Sequence, residues 1–281
     1  MARPTRSDNN AGGAAMTVEL AEQPANLELP PRQPLAGRTC LVTGASRGIG
    51  CGVARELGRY GATVVVNYRS SKEAANEVAD TITTADTEGT AHPVQADVTD
   101  RDEIETMREV VHNAFGPIDV LVNNAGITCD RTFANMTADD WHRVIDVSLH
   151  GTFNCTQAFY DDLKTADDGR IINISSVIGK QGNIGQANYA AAKSGLFGFT
   201  RSLALELAGS GTTANCIAPG FTRTEMVEAI PEEVQDQLCD EIPLERFADV
   251  DEIAGIVRYL ASEQSNYITG EVIDVNGGLD L

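Results

Sequence analysis

Short apolar runs alternate with amphipathic stretches of helical length along most of the chain. Arg38-Thr39-Cys40-Leu41-Val42-Thr43 is followed by a helical pattern from about Gly48 to Tyr60. Ala62-Thr63-Val64-Val65-Val66-Asn67 leads into a helix over about 72–84, and Ala91–Ala96 into one over about 101–114. A fourth run, Pro117–Asn123, precedes a helix predicted around 137–163. Then come a strand from Arg170 toward Ser176, a helix carrying Tyr189 and Lys193, and a strand over Thr212–Ile217 with a Pro219-Gly220 turn. A polar segment, 222–246, a helix, 249–261, and a last strand, Glu271–Val275, complete the pattern. Near-continuous apolar strands read as buried on both faces, and their regular alternation with helices predicts one parallel sheet covered on both sides. There is no internal repeat and no second domain. Residues 1–36 differ: Pro4, Pro24, Pro30, Pro31 and Pro34 interrupt a stretch without periodicity, so a disordered or loosely packed extension is expected before a domain at 37–281.

Three places in this pattern carry chemistry. The first strand runs into Gly44-Ala45-Ser46-Arg47-Gly48-Ile49-Gly50 at the start of a helix. Glycines there permit a tight turn and close approach of a phosphate, and the helix N-terminus offers N–H donors and positive dipole. The arrangement predicts an α/β, Rossmann-type doubly wound sheet, although the spacing is Gly-x-x-x-Gly-x-Gly rather than Gly-x-Gly-x-x-Gly. The second strand ends in Asn67-Tyr68-Arg69-Ser70-Ser71. A carboxylate at that end would accept from a ribose 2′-hydroxyl and mark NAD. None is present, whereas Arg47 and Arg69 suit a 2′-phosphate, and Ser70 suits either that phosphate or a helix cap. NADP is expected. The third place is Asn173–Ser194. Ser176 follows a strand, thirteen residues before Tyr189, and Lys193 follows Tyr189 by four. That last step puts Tyr189 and Lys193 on one helical face, where an ammonium is expected to lower the phenol pKa and fit it for proton transfer at a carbonyl or alcohol oxygen.

Composition narrows the partners. The formal charge is −20, and only four of the 21 basic residues are lysines. Such a charge is self-repelling in dilute buffer and screened in molar salt, where the Debye length falls to about 3 Å. The composition resembles proteins of salt-accumulating organisms, and its sign disfavours nucleic acid. Six scattered cysteines without a Cys-x-x-Cys pair point to neither a disulfide framework nor a metal site. No apolar run reaches the roughly 18 residues of a membrane span, and the first residues lack the apolar core of a secretory signal. A cytoplasmic protein that does not engage membranes is expected.

Five ordered elements resemble the classical short-chain dehydrogenase/reductases: Thr43-Gly-x-x-x-Gly-Ile-Gly50, Asp97, Asn123-Asn-Ala-Gly126, Ser176…Tyr189-x-x-x-Lys193 and Pro219-Gly220. Gln186-Ala-Asn-Tyr-Ala-Ala-Ala-Lys193 and the Ile268-Thr-Gly-Glu…Val-Asn-Gly-Gly278 ending are most similar to the 3-oxoacyl-thioester reductase branch. The resemblance implies Tyr189 as general acid, Ser176 as hydrogen-bond partner of the substrate carbonyl, and Lys193 as partner of Tyr189 and the nicotinamide ribose. It implies adenine contacts at Asp97 and Val98, and a cofactor floor of Asn124, Ala125 and Gly126. Thr222 and Thr224, after Pro219-Gly220, would meet the carboxamide and pyrophosphate, and Gln186 the acyl or pantetheine portion. It also implies a homotetramer. The family slot for an Asn that orders a relay water beside the Lys holds Ser148. Two arginines that dock acyl carrier protein are replaced by Asp167 and Ser210. An acidic surface has no steering field for an acidic carrier, so a coenzyme A thioester is expected, most economically acetoacetyl-CoA for polyhydroxyalkanoate synthesis. The alternatives are a carrier-protein-dependent reductase, a polyol, sugar or steroid dehydrogenase of the same family, and a non-catalytic NADP-binding regulator.

Overall fold

A computed structural model describes residues 33–85, 87–228 and 231–281. Most of the expected N-terminal extension, residues 1–32, lies outside the described residues. Leu35 is fully buried, and its N–H donates to the Tyr60 carbonyl at 3.1 Å, so Leu35 packs with the described domain.

The elements are β1 (Thr39–Val42), α1 (Gly48–Arg59), β2 (Thr63–Tyr68), α2 (Lys72–Thr83), β3 (Thr90–Gln95), α3 (Arg101–Phe115), β4 (Val120–Asn123), α4 (Ala138–Ile145), α5 (Gly151–Ala158) and α6 (Tyr160–Thr165). They continue through β5 (Arg170–Ile174), α7 (Ile178–Gln181), α8 (Ala187–Leu207), β6 (Thr213–Pro219), α9 (Glu225–Glu228), α10 (Glu232–Asp240), α11 (Val250–Ala261) and β7 (Val272–Val275). The seven strands among the described residues are all parallel, in the order β3-β2-β1-β4-β5-β6-β7. The order reverses between β1 and β4, and in such sheets ligands bind outside the carboxyl ends of the strands at that switch point.

Strand alternation divides the core. Cys40, Val42, Val64 and Val66 join α1, α2 and α11 through Leu57, Ile82 and Val257. Leu41, Val65, Leu121 and Ile171 face α3, α5 and α8 through Met107, Cys155 and Leu207. Glycine sets one close contact here: a Cβ on Gly52 would lie 2.0 Å from Cγ1 of Val250, so α1 approaches α11 only without a side chain at that position.

Two predicted elements differ in form. The helix expected around 137–163 is three helices, with a π turn at Asp146–His150 between α4 and α5. The polar segment 222–246 contains α9 and α10, and Val227, Ile242 and Phe247 form a small core of its own with Phe221 and Leu238. Pro219 ends β6 instead of opening the turn. Among the described residues no helix is long and apolar enough to cross a membrane.

Candidate active site

The glycine turn after β1 is built by hydrogen bonds that its sequence only partly announces. Gly44 and Gly48 have φ of +62° and +55°, the left-handed region that glycine enters without penalty. Asn124 Nδ2 donates to the Thr43 and Gly44 carbonyls at 2.9 and 3.2 Å. Thr43 Oγ accepts from the N–H groups of Asn124 and Ala125, both at 3.0 Å. A Cβ on Gly50 would lie 2.4 Å from Asn124 Nδ2, and one on Gly44 3.0 Å from the Ala125 Cα. The glycines therefore let the turn and the β4 end touch, which makes Asn124, Ala125 and Gly126 the floor beside it. Thr43 opens the glycine motif, and its hydroxyl joins β1 to β4, a role that its place in the sequence does not announce.

Helix α1 opens on this turn with no acidic residue in its first turn and no side-chain cap from Arg47. Its free N–H groups and dipole leave an anion site. Thr224 faces it, its Cγ2 being 3.6 Å from where a Gly48 Cβ would stand. Thr222 is buried and donates to the Gly220 carbonyl at 3.1 Å. A Gly220 Cβ would meet the Asn276 Cα at 2.8 Å, so glycine is required for that segment to lie against the end of β7. These residues fit a dinucleotide pyrophosphate. Ser46 and Ile49 lie in the same turn, half-buried.

Asn67 does not face a ribose. It is buried, accepts from the Gly44 N–H at 3.2 Å and donates to the Ala96 carbonyl at 3.1 Å. The first exposed side chain beyond β2 is Arg69, 3.7 Å from Asp97. Arg47 is also exposed. Ser70 does not cap α2: the N-cap is Ser71, without a side-chain bond. Asp97 does not cap α3 either, since Asp100 does. Asp97 Oδ1 instead accepts from the Thr99 N–H and hydroxyl at 2.9 and 2.8 Å. Val98 is buried against Gly151, where a Cβ would lie 2.6 Å from its Cγ2.

Ser176, Tyr189 and Lys193 come together at the carboxyl end of β5. Ser176 Oγ accepts from the Ile178 N–H at 3.2 Å, and its hydroxyl stands near enough to the Tyr189 phenol to act on that group's pKa. Lys193 is buried and its Nζ lies 5.6 Å from the Tyr189 ring centre. Nζ donates to the Ile174 carbonyl at 2.7 Å, and the Lys193 carbonyl accepts from Ser175 Oγ at 2.8 Å. The expected lowering of the phenol pKa is not met. Burial raises it above its ordinary value, and the nearby Ser176 hydroxyl opposes this only in part, while the Asp130 charge adds to the rise. Burial also brings the Lys193 ammonium down to about 8. The four-residue step puts the two groups on one face as expected, but it does not reveal how dry that face is.

Ser148 lies in the π turn, fully buried, and its hydroxyl has no protein partner. Its Oγ and Lys193 Nζ lie 3.4 and 3.3 Å from one point, the Cβ position that Gly126 leaves open. A buried hydroxyl without a partner costs about 1–3 kcal/mol, so this spot suits a further polar group. Gln186 Nε2 donates to both Asp130 oxygens at 3.1 Å, and its Oε1 accepts from Asn183 at 2.9 Å. Asp130 had no sequence signal, because only the fold brings the loop after β4 beside α8.

Residues 44–280 match the family model described as enoyl-(acyl carrier protein) reductase. Curated relatives named 3-oxoacyl-(acyl-carrier-protein) reductase FabG align along nearly their whole length. The Staphylococcus aureus (strain Mu50) protein is 46% identical over 242 residues, 86% of this chain and 98% of that one. The Aquifex aeolicus protein is 45% identical over 246 residues, and the Thermotoga maritima protein 42% over 245, each with 87% of this chain and 98% of the relative covered. The chain belongs to the short-chain dehydrogenase/reductases. As a member of that family it is an oxidoreductase acting on CH–OH or C=O groups with a nicotinamide dinucleotide.

Proposed function

We propose that the protein reduces a 3-oxoacyl-CoA, with acetoacetyl-CoA as the simplest case, to the 3-hydroxyacyl-CoA using NADPH. The observation that carries this reading is the meeting of Ser176, Tyr189 and Lys193 beside the glycine turn and the Asn124–Gly126 floor. The glycine turn and the Asn124–Gly126 floor would hold NADPH, which would supply the hydride for the C3 carbonyl carbon. Tyr189 gives its phenolic proton to the carbonyl oxygen, and Ser176 Oγ donates a hydrogen bond to the same oxygen. Lys193 would hold the ribose and, through a water shared with Ser148, would return a proton to Tyr189. A phenol whose pKa is raised is protonated at neutral pH, the form that reduction requires. Arg47 and Arg69, both exposed and with no carboxylate at the end of β2, favour a 2′-phosphate and hence NADPH.

Coenzyme A is favoured over a protein carrier by Asp167 and Ser210. Asp167 is exposed, and the Ser210 hydroxyl donates to the Leu207 carbonyl at 2.7 Å, so neither offers a cation to an acidic carrier. The relatives' names support the carrier-bound substrate instead, and the family description supports a second reading, reduction of a C=C bond in an enoyl thioester. A phenolic proton donor near a serine hydroxyl at the strand end suits a carbonyl oxygen better than an enoyl carbon. The acidic, lysine-poor composition supports a protein working in molar salt, and the family resemblance supports a homotetramer. NADPH oxidation in molar KCl, with acetoacetyl-CoA, the same acyl group on a carrier protein, and crotonyl-CoA at matched salt, tests the proposal. Acetoacetyl-CoA is expected to give the highest kcat/KM. A clear win for crotonyl-CoA or for the carrier-bound ketone overturns it.

A further inference from the structure

We propose that Asn188 is a positioning residue that fixes Tyr189 by tying the start of α8 to the loop after β4 and to α4. This rests on the proton-donor role proposed above for Tyr189. Helix α8 has no side-chain cap from its N-cap residue, Gln186. The first N–H groups of a helix lack intrahelical partners, and that of Tyr189 donates to Asn188 Oδ1 at 2.8 Å. Both hydrogens of the Asn188 amide are committed as well: Nδ2 donates to the Cys129 carbonyl and to the Asp140 carbonyl, each at 3.0 Å. The side chain has no accessible surface. One amide therefore joins three separate segments, and one of its three bonds ends on the backbone of the proton donor.

The two acceptors are themselves fixed. Cys129 Sγ donates to Asp140 Oδ1 at 3.1 Å, which closes a ring of contacts among Cys129, Asp140 and Asn188. Asp140 closes the capping box of α4 with Thr137. Beyond Cys129 the same loop continues onto α8: Gln186 bonds Asp130, and the Arg131 N–H donates to the Gly185 carbonyl at 2.8 Å. Tyr189 thus takes its place from the loop and α4 as well as from its own helix. Truncating Asn188 takes the acceptor from the Tyr189 N–H and a donor from each of the Cys129 and Asp140 carbonyls, and so removes the tie that holds the first turn of α8 to the loop and to α4.

The experiment compares Asn188→Ala and Asn188→Asp with the parent and with Tyr189→Phe. For Asn188→Ala, kcat for acetoacetyl-CoA is expected to fall at least tenfold, with the Kd for NADPH, read by fluorescence, within twofold of the parent. The solvent deuterium isotope effect on kcat is expected to rise, because a displaced phenol makes proton transfer slower. A purely structural role would lower the melting temperature without changing that isotope effect. Asn188→Asp keeps the size and the acceptor for the Tyr189 N–H but sets a buried carboxylate oxygen against the Cys129 and Asp140 carbonyls, and a loss at least as large is expected. Hydrogen exchange over 186–193 and 128–131 should quicken together in Asn188→Ala. A folded Asn188→Ala with parental kcat and isotope effect overturns the inference, as does failure of both variants to fold, which would make Asn188 a folding residue. Should the parent reduce no ketone, the functional reading fails on its own, and the paired exchange change then decides whether Asn188 holds Tyr189.

Discussion

Replacing Lys193 by methionine should stabilise the folded protein near neutral pH while abolishing catalysis, and the stabilisation should disappear in alkali. The ammonium is buried and its pKa is lowered from 10.5 to about 8, mainly by burial. Below about 8 both folded and unfolded chains carry the proton, and the full cost of the buried charge is present. Between about 8 and 10.5 the unfolded chain binds more protons than the folded one, so stability rises with pH across that window. At about 1.4 kcal/mol per pH unit, the whole window corresponds to about 3.5 kcal/mol, and the part below pH 10 to about 2.5 kcal/mol. A thioether in place of the ammonium cannot donate to the Ile174 carbonyl, which Nζ reaches at 2.7 Å, and that loss of about 1–3 kcal/mol offsets part of the gain at every pH. The difference between the two proteins at pH 7 and at pH 10 is free of this constant. Urea denaturation of parent and Lys193→Met at both pH values, at matched salt and protein concentration, measures it. The variant's relative stability should drop by about 2–3 kcal/mol from pH 7 to pH 10. A pH-independent difference would refute a buried, charged Lys193.

Tyr189→Phe should remove essentially all turnover and leave NADPH affinity within a few fold, measured by nucleotide fluorescence; substantial residual turnover would remove Tyr189 from the chemistry. Arg69→Ala and Arg47→Ala should each weaken NADPH about ten- to a hundred-fold, since a charge-assisted bond to a phosphate is typically worth about 1.5–3 kcal/mol, and should leave NADH nearly unchanged. Equal kcat/KM for the two nucleotides in the parent would contradict the NADP preference. Ser148→Asn should keep or raise kcat, and Ser148→Ala should lower it by no more than the roughly 10²–10⁴-fold of one acid–base contribution. An alanine variant matching the parent in rate and solvent isotope effect would leave Ser148 a packing residue only.

Most of the sheet was legible because its strands are near-continuous Val, Ile and Leu runs separated by helical patterns, a signal that needs no tertiary information. Residues 137–163 read as one continuous helix because their apolar positions keep a helical period through Asp146–His150, and a π turn changes the hydrogen-bond step rather than the residue types. In the site, Ser176, Tyr189 and Lys193 were visible through local spacing. Asn188, Asp130 and Thr43 were not, because their partners lie far away in the chain: Asn188 with Cys129 and Asp140, Asp130 with Gln186, Thr43 with Asn124. The sense of the Tyr189 shift failed for a related reason. Spacing reports which charge is near, but burial, the larger influence here, depends on everything packed around the group.

Salt should act on the two halves of the site differently. Lys193 is held by the Ile174 carbonyl, Ser175 by the Lys193 carbonyl, and the Tyr189 N–H by Asn188. These are short contacts, mostly buried and mostly to uncharged groups, and screening leaves such contacts nearly untouched. The proposed 2′-phosphate site is the opposite case. Arg69 is 64% exposed and 3.7 Å from Asp97, so its pull on a phosphate crosses solvent. From 0.1 M to 1 M salt the Debye length falls from about 10 Å to about 3 Å. NADPH should therefore lose part of its advantage over NADH as KCl rises, while kcat at saturating NADPH should stay level once the −20 charge is screened enough for the fold to hold. Initial rates with both nucleotides across a KCl series separate the two effects. A selectivity independent of salt would mean that the phosphate is gripped by buried donors instead of Arg47 and Arg69.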